Sequence, residues 1–265
     1  MRLVEASGVA FLVFEQLWGQ GSLRHGVSLR EGRGGIDFDF LKQDRKQREF
    51  KVDNFCRALG LSADGVVQAH QVHGAEVAVA DGPQDKPGPA DGLCTNRAGV
   101  SLMLWGADCP LILLYDPVGP ALGLAHAGWR GTVGRITAGL VERMAGQFGS
   151  DPGKMRVGIG PGICGDCYEV GEEVAQEARK KLGDISGFLQ WRSPGDSHRT
   201  EKRWYFDLAQ ANRRQLLEAQ VPAGQIELSG CCTYEQGQWF PSHRREGKGA
   251  GRWALLAGLR ATDRD

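Results

Sequence analysis

Gly106-Ala107-Asp108-Cys109-Pro110-Leu111-Ile112-Leu113-Leu114-Tyr115-Asp116-Pro117, a short turn, and then Ala121-Leu122-Gly123-Leu124-Ala125-His126-Ala127-Gly128-Trp129-Arg130-Gly131 form the stretch around which the chain is organised. Residues 111–115 are apolar throughout and stop at Asp116-Pro117, as a buried strand closed by a turn does. Residues 121–125 read as the returning strand, which gives a β-hairpin with a loop of roughly five residues. Cys109 precedes the first strand and His126 follows the second, so an antiparallel return brings thiol and imidazole to one end of the hairpin. Gly106, Ala107, Ala125, Ala127 and Gly128 surround them with small side chains and leave room for a ligand.

Upstream, residues 66–69 and 77–80 read as strands flanking Gln71-Val72-His73-Gly74. His73, Cys109 and His126 thus each sit beside a strand end and near a glycine. Imidazole and thiolate are zinc donors, and a catalytic zinc site uses three protein ligands with a fourth position open. Spacing alone leaves the plain alternative standing, in which His73 is a surface loop residue and Cys109 a small buried hydrophobe. Arg130 follows Gly128-Trp129, beside a candidate ligand, and its guanidinium fork suits phosphate oxygens. Arg244-Arg245, in a loop flanked by Gly and Pro, offers a second anion contact. Asp108 adjoins Cys109 and is a candidate proton shuttle.

Cys164-Gly165-Asp166-Cys167 with Cys231-Cys232 supplies four thiols for a structural zinc, but the adjacent pair fits the usual ligand spacing poorly. They are read as free thiols of core or loop. Gly160-Pro161-Gly162-Ile163-Cys164-Gly165 matches a dinucleotide-binding GxGxxG pattern. In that fold the helix opens at the glycines; here helical patterning starts only near Gly171. The motif reads as a glycine loop lining a pocket.

The rest of the chain alternates strand and helix. Residues 1–20 hold one or two short strands, with the apolar run 8–14 an edge strand, and residues 30–35 form a loop. Residues 42–59 have helical spacing with Phe50, Val52, Phe55 and Leu59 on the apolar face. Residues 83–89 form a surface loop and 100–105 a strand. Helices are expected over 131–148, 171–182 and 206–220, a polar loop over 189–203, and strands over 155–159, 226–228 and 253–259, with one more ending at Trp239-Phe240. No repeat or linker interrupts this order, so residues 1–265 read as a single α/β domain.

Lys plus Arg equals Asp plus Glu at 32 each, which argues against nucleic acid as the main partner. No stretch approaches the ~20 apolar residues that span a bilayer. Seven cysteines and no signal peptide point to reduced thiols in the cytoplasm.

Taken together, these motifs resemble one family: the bacterial purine nucleoside phosphorylases long labelled multicopper polyphenol oxidases or "laccase-domain" proteins, which include the peptidoglycan editing factor. The resemblance rests on Gln71-Val72-His73-Gly74, Ala107-Asp108-Cys109-Pro110, Ala125 to Gly131, Ile159-Gly160-Pro161-Gly162-Ile163, Cys167-Tyr168-Glu169-Val170-Gly171, Cys232-Thr233-Tyr234 and Arg244-Arg245-Glu246-Gly247, in that order across residues 66–260. It implies a layered α/β/β/α fold with mixed sheets. It also implies His73, Cys109 and His126 as zinc ligands, and phosphorolysis of adenosine, inosine, guanosine and methylthioadenosine, with adenosine deamination besides. On this reading Asp108 and Cys109 serve catalysis and Arg130 and Arg245 hold substrate; the partners are a small nucleoside and phosphate, and the chain is a monomer or weak dimer. The alternatives are a zinc hydrolase that removes misincorporated serine from peptidoglycan precursors, and the polyphenol oxidase of the label. Copper is the less suitable metal: a blue-copper centre wants a weak axial ligand, and multicopper oxidation needs more histidines than the six present. Two departures bear on substrate preference. The family's His-Gly-Phe-Ser-Thr-Arg stands here as His25-Gly26-Val27-Ser28-Leu29-Arg30 before a shortened segment, and His243 replaces an aromatic ahead of the arginine pair.

Overall fold

The structure, a computed structural model, describes residues 1–31, 34–36, 38, 43–83, 85–193 and 201–260. Residues 32 and 33 of the expected first loop, Lys42 at the expected helix start, Gln84, much of the expected 189–203 loop and residues 261–265 lie outside the described residues.

Two six-stranded mixed sheets stack face to face. The first runs β1 (Arg2–Ala6), β2 (Val9–Val13), β3 (Leu23–Ser28), β15 (Trp253–Leu259), β7 (Ser101–Gly106) and β4 (Val66–Gln68). The second runs β14 (Ile226–Leu228), β10 (Arg156–Ile159), β8 (Leu111–Asp116), β9 (Ala121–His126), β6 (Gly92–Thr95) and β5 (Val77–Val79). A small third sheet joins β11 (Glu169–Val170), β13 (Arg203–Phe206) and β12 (Leu189–Arg192).

Strand alternation builds the layers. Leu111, Leu113 and Tyr115 of β8 point between the sheets, where they meet Leu102 and Leu104 of β7 and Trp253, Leu255 and Ala257 of β15. Ile112 and Leu114 point the other way, onto Leu140 and Met144 of α3 (Ile136–Phe148) and Leu216 of α5 (Leu208–Glu218). On the far face of the first sheet, Phe11, Met103 and Leu256 pack under Phe55, Cys56 and Leu59 of α1 (Arg45–Leu59). The result is an α/β/β/α stack. A strand covered on both faces must be apolar at every position, which is why β8 and β9 read as continuous runs. Gly123 on β9 lets α3 seat closely, because a Cβ there would lie 2.7 Å from Met144 Sδ and force the side chains of α3 to shift.

The hairpin pairs Leu111 with His126 and Asp116 with Ala121, so each strand extends one residue beyond the expected limits. Beyond the strands β3 and β6, which the sequence pattern does not mark, the structure departs from expectation in five places. Residues 8–14 supply β2, one strand in from the edge, with β1 outermost. Phe50 is 66% exposed rather than on the buried face of α1. The helix expected over 131–148 is two, α2 (Trp129–Val133) and α3, separated by Gly134 and by Arg135 at φ 62°. The carbonyl of Thr132 accepts from Gln215 Nε2 at 2.7 Å and from the Arg135 N–H at 3.0 Å, which competes with the bond a continuous helix would need. The expected 189–203 loop holds β12 and the start of β13. Trp239 and Phe240 lie in a turn whose N–H groups bond Gln236 O, not in a strand.

Candidate functional site

The candidate site forms at one end of the second sheet. His126 is the last residue of β9, Cys109 lies in the β7–β8 connection, and the Ala127 N–H bonds Pro110 O at 3.0 Å, holding the two segments side by side. His73 comes from the loop between β4 and β5. The donor atoms of His73, Cys109 and His126 all lie within 4.8 Å of one another, and the two imidazoles meet edge to face with centroids 4.8 Å apart. His73 is exposed, Cys109 half-buried and His126 buried.

Asp91, between the 83–89 loop and β6, organises this cluster and is the site residue that sequence reasoning missed. It is fully buried. Its Oδ2 accepts the N–H groups of Val72 at 3.0 Å and Gly74 at 2.7 Å, and its Oδ1 accepts the His73 N–H at 3.0 Å. Oδ1 also lies 2.7 Å from His126 Nδ1. One carboxylate therefore shapes the His73 loop and turns His126 so that Nε2 faces the other donors, an arrangement common behind metal-bound histidines. Burial pushes the Asp91 carboxyl up, but the bonds from His126, Gly74 and Val72 outweigh it and leave the pKa below the ordinary value. The available signal was an acidic residue placed directly before a strand, in a stretch where Gly92 and Thr95 hide the strand pattern.

Electrostatics couple the three donors. Burial opposes ionisation of Cys109, yet His126 and His73 bring its thiol down to about 6. His126 is pushed down by burial and raised more strongly by Cys109 and Asp91, reaching about 9. The set fits a zinc ion: two imidazoles, one thiolate of lowered pKa, a buried carboxylate behind one histidine, and no fourth protein donor in the group. Gly128 is part of this fit, since a Cβ there would stand 3.0 Å from Cys109 Sγ and 3.3 Å from His73 Cδ2.

Backbone strain gathers here as well. Among the described residues, five non-glycine residues have positive φ, and two of them are His73 at 60° and Asp108 at 87°. Asp108 is buried, with Oδ1 accepting from Thr233 Oγ1 at 2.7 Å and Oδ2 from the Arg244 N–H at 2.6 Å. Such strain persists where the surroundings over-determine the conformation.

The cluster opens into a cleft of about 660 Å³ lined by Gln71, Trp105, Asp108, Trp129, Arg130, Ile163, Tyr168, His243 and Arg244, among others. The Arg130 guanidinium lies 4.4 Å from the Trp129 ring and that of Arg244 lies 5.2 Å from the Tyr168 ring. Burial and the nearby Cys109 push the Tyr168 phenol up to about 12, so it remains a hydrogen-bond donor.

Arg245 stands elsewhere. Its guanidinium donates to Thr233 O at 2.7 Å, to Tyr234 O, to Phe240 O at 2.8 Å and to Glu246 at 2.6 Å, so it braces the loop, and Arg244 is the member of the pair that lines the cleft. Glu246 also bonds Arg30, so the 25–30 stretch buttresses the arginine loop from outside. His25 is buried with Nε2 accepting the Phe14 N–H at 2.9 Å, and burial holds its pKa down to about 3. Within the glycine-rich motif, Ile163 lines the cleft, and α4 (Glu172–Leu182) starts only after Gly171. Cys164, Cys167 and Cys232 converge with Glu235. Cys231 is instead directed to Ser229 O at 3.5 Å.

Comparison with known proteins identifies the family and the shared fold. Residues 24–260 match the family model described as multi-copper polyphenol oxidoreductase laccase. A protein of Deinococcus radiodurans named purine nucleoside phosphorylase is 39% identical over 223 residues, covering 84% of this chain and 81% of the relative. A protein named adenosine deaminase RL5, from an unknown prokaryotic organism, is 36% identical over 73% of this chain and 75% of its own length. The crystal structure of YlmD from Geobacillus stearothermophilus superposes with a TM-score of 0.83 at 30% identity, covering 97% of this chain and 98% of that one. The chain belongs to the family described as multi-copper polyphenol oxidoreductase laccase, with a mixed α/β fold shared with YlmD.

Proposed function

We propose that this protein is a zinc-dependent purine nucleoside phosphorylase acting on adenosine, inosine, guanosine or methylthioadenosine. The observation that carries the proposal is the His73–Cys109–His126 cluster opening into a cleft that also presents Arg130, Arg244 and aromatic rings. The substrate class is supported by the relative from Deinococcus radiodurans, whose name is purine nucleoside phosphorylase.

A zinc ion held by His73, Cys109 and His126 would supply positive charge and an open coordination position for a phosphate oxygen. The protein's own groups do the rest. Arg130 and Arg244 bind and orient the anion, Arg130 stiffened by stacking on Trp129. Trp129 and Tyr168 line the cleft where the purine would sit, and the protonated Tyr168 phenol is a donor available to it. Phosphate oxygen forms the new bond to the ribose anomeric carbon as the bond to the purine nitrogen breaks, and the purine leaves with the bonding pair. Asp108 lines the same cleft, held in one orientation by Thr233 and the Arg244 N–H, and is the group placed to pass a proton. Holding two reactants in one cleft removes much of the entropic barrier.

Adenosine deamination is a second activity of the same site, favoured by the relative named adenosine deaminase RL5. For that activity a bound zinc ion would supply its open position to water in place of phosphate. Polyphenol oxidation is disfavoured by chemistry, because a chain with six histidines cannot furnish several copper centres beside this one.

We further propose that residues 1–265 act as one catalytic domain in the cytoplasm. The support is that β15, near the C-terminus, inserts between β3 and β7, so both ends of the chain share a sheet. All seven cysteines are free thiols, and no described helix is long and apolar enough to cross a membrane. The test is purine release from inosine and adenosine by zinc-reconstituted protein. Loss of turnover in Cys109→Ala supports the reading, and unchanged turnover in that variant refutes it.

A further inference from the structure

Three of the cysteines outside the cleft make a second cluster with its own logic. Cys164, Cys167, Cys232 and Glu235 place one donor atom each so that all four lie within 4.8 Å of one another. Cys167 Sγ is 3.5 Å from Glu235 Oε1, and the Cys164 N–H points at Cys232 Sγ from 3.4 Å.

Two turns of the same spacing present these donors. Cys164 and Cys167 close one, with the N–H groups of Cys167 and Tyr168 both bonding Cys164 O at 3.0 Å. Cys232 and Glu235 flank the other, closed by the Gln236 N–H on Cys232 O at 2.9 Å. A parallel bridge between Gly162 and Cys232, with the Thr233 N–H on Gly162 O at 3.0 Å, locks one turn against the other. Two facing turns with donors three residues apart, and a backbone N–H aimed at a sulfur, form a cradle for a thiophilic cation. The sequence suggested four thiols and a poor fit; the structure replaces Cys231 with Glu235.

We propose that Cys164, Cys167, Cys232 and Glu235 form a second, structural metal site that takes a zinc ion in a closed Cys3Glu tetrahedron. Zinc–sulfur bonds of ~2.3 Å place tetrahedral thiolates roughly 3.8 Å apart, so the donors need contract only slightly from their present separation. Binding forms three Zn–S bonds and one Zn–O bond and releases three thiol protons to solvent; no redox partner is involved.

The site sits behind the wall of the cleft. Ile163 and Tyr168, which line the cleft, flank the Cys164–Cys167 turn, and Thr233, which holds Asp108, follows Cys232. A metal here clamps the segments that position Tyr168 and Asp108.

The experiment is metal counting on chelator-free protein purified with reductant, followed by cobalt substitution. Wild type is expected to hold two zinc ions per chain. Cys109→Ala, which leaves this cluster intact, is expected to hold one, as are Cys167→Ser and Cys232→Ala. The cobalt form of Cys109→Ala should retain strong thiolate-to-cobalt charge-transfer absorption, and that of Cys167→Ser should lose most of it. Glu235 is exposed, so Glu235→Gln tests the site even where a cysteine variant fails to fold; it should weaken the second zinc at least ten-fold in a chelator titration. One zinc per chain in wild type with none in Cys109→Ala would overturn the proposal. So would two zinc ions that persist unchanged in Cys167→Ser and Glu235→Gln, or a disulfide among these cysteines in protein purified anaerobically.

Discussion

Asp91 is the side chain on which the candidate site turns, because four donors converge on its two oxygens. Asp91→Asn must set an NH2 group against N–H groups in either orientation. We expect a stability loss of about 1–3 kcal/mol from the unsatisfied groups, read by denaturant unfolding. Zinc affinity should fall about 10–100-fold in a chelator competition, as for other partners behind metal ligands.

Cys109 gives a pH signature. With metal removed, its thiolate persists down to about pH 6, stabilised by His126, so alkylation of Cys109 should accelerate as pH rises through about 6. Zinc binding needs the same thiolate and should weaken below that pH. A midpoint near the ordinary thiol value in the metal-free protein would contradict the coupling with His126. Arg130→Lys keeps the charge but loses the fork, so phosphate KM should rise about 10-fold with little change in kcat, matching one charge-assisted hydrogen bond of roughly 1.5 kcal/mol.

At the scale of elements, the short α2 matters through how closely it approaches the His73 loop. A Cβ on Gly131 would lie 2.7 Å from Gly74 O, a backbone atom that cannot swing aside. Gly131→Ala should therefore cost about 1–3 kcal/mol and displace His73, lowering zinc affinity as well. Gly139, within α3, has open space where a methyl group would stand, with nothing within 4 Å, so Gly139→Ala should be neutral or stabilising by up to ~1 kcal/mol. Thermal unfolding of the two variants side by side checks the contrast.

The elements also show where the sequence was legible. β8, β9 and β15 were readable because strands buried on both faces are apolar at every position, and the end-to-end meeting of Cys109 and His126 followed from antiparallel pairing. β3 and β6 were hidden by glycine and polar residues within otherwise buried strands. The break between α2 and α3 depends on Gln215 reaching Thr132 from α5, a long-range contact that no local pattern carries. For the same reason Asp91, which acts through backbone N–H groups remote in sequence, escaped notice. Arg244 and Arg245 were indistinguishable as neighbours, and only the turn at Ser242 decides which one faces the cleft.

At the scale of the whole molecule, two stacked sheets between helical layers supply a rigid base, and the site is assembled from connections at one end of it. The three donors come from the β4–β5 loop, the β7–β8 connection and the end of β9, while the cleft-lining Arg130 and Arg244 come from the start of α2 and the short helix α6 (His243–Glu246). Rigid strands carrying variable loops fit a family whose relatives bear more than one activity in their names. The central claim is phosphate-dependent cleavage at the His73–Cys109–His126 centre. It is tested most directly by following inosine with zinc-reconstituted protein, with and without inorganic phosphate, and identifying the sugar product. The account predicts ribose 1-phosphate and hypoxanthine in equal amounts, with turnover that vanishes when phosphate is removed; free ribose released at the same rate without phosphate would contradict it.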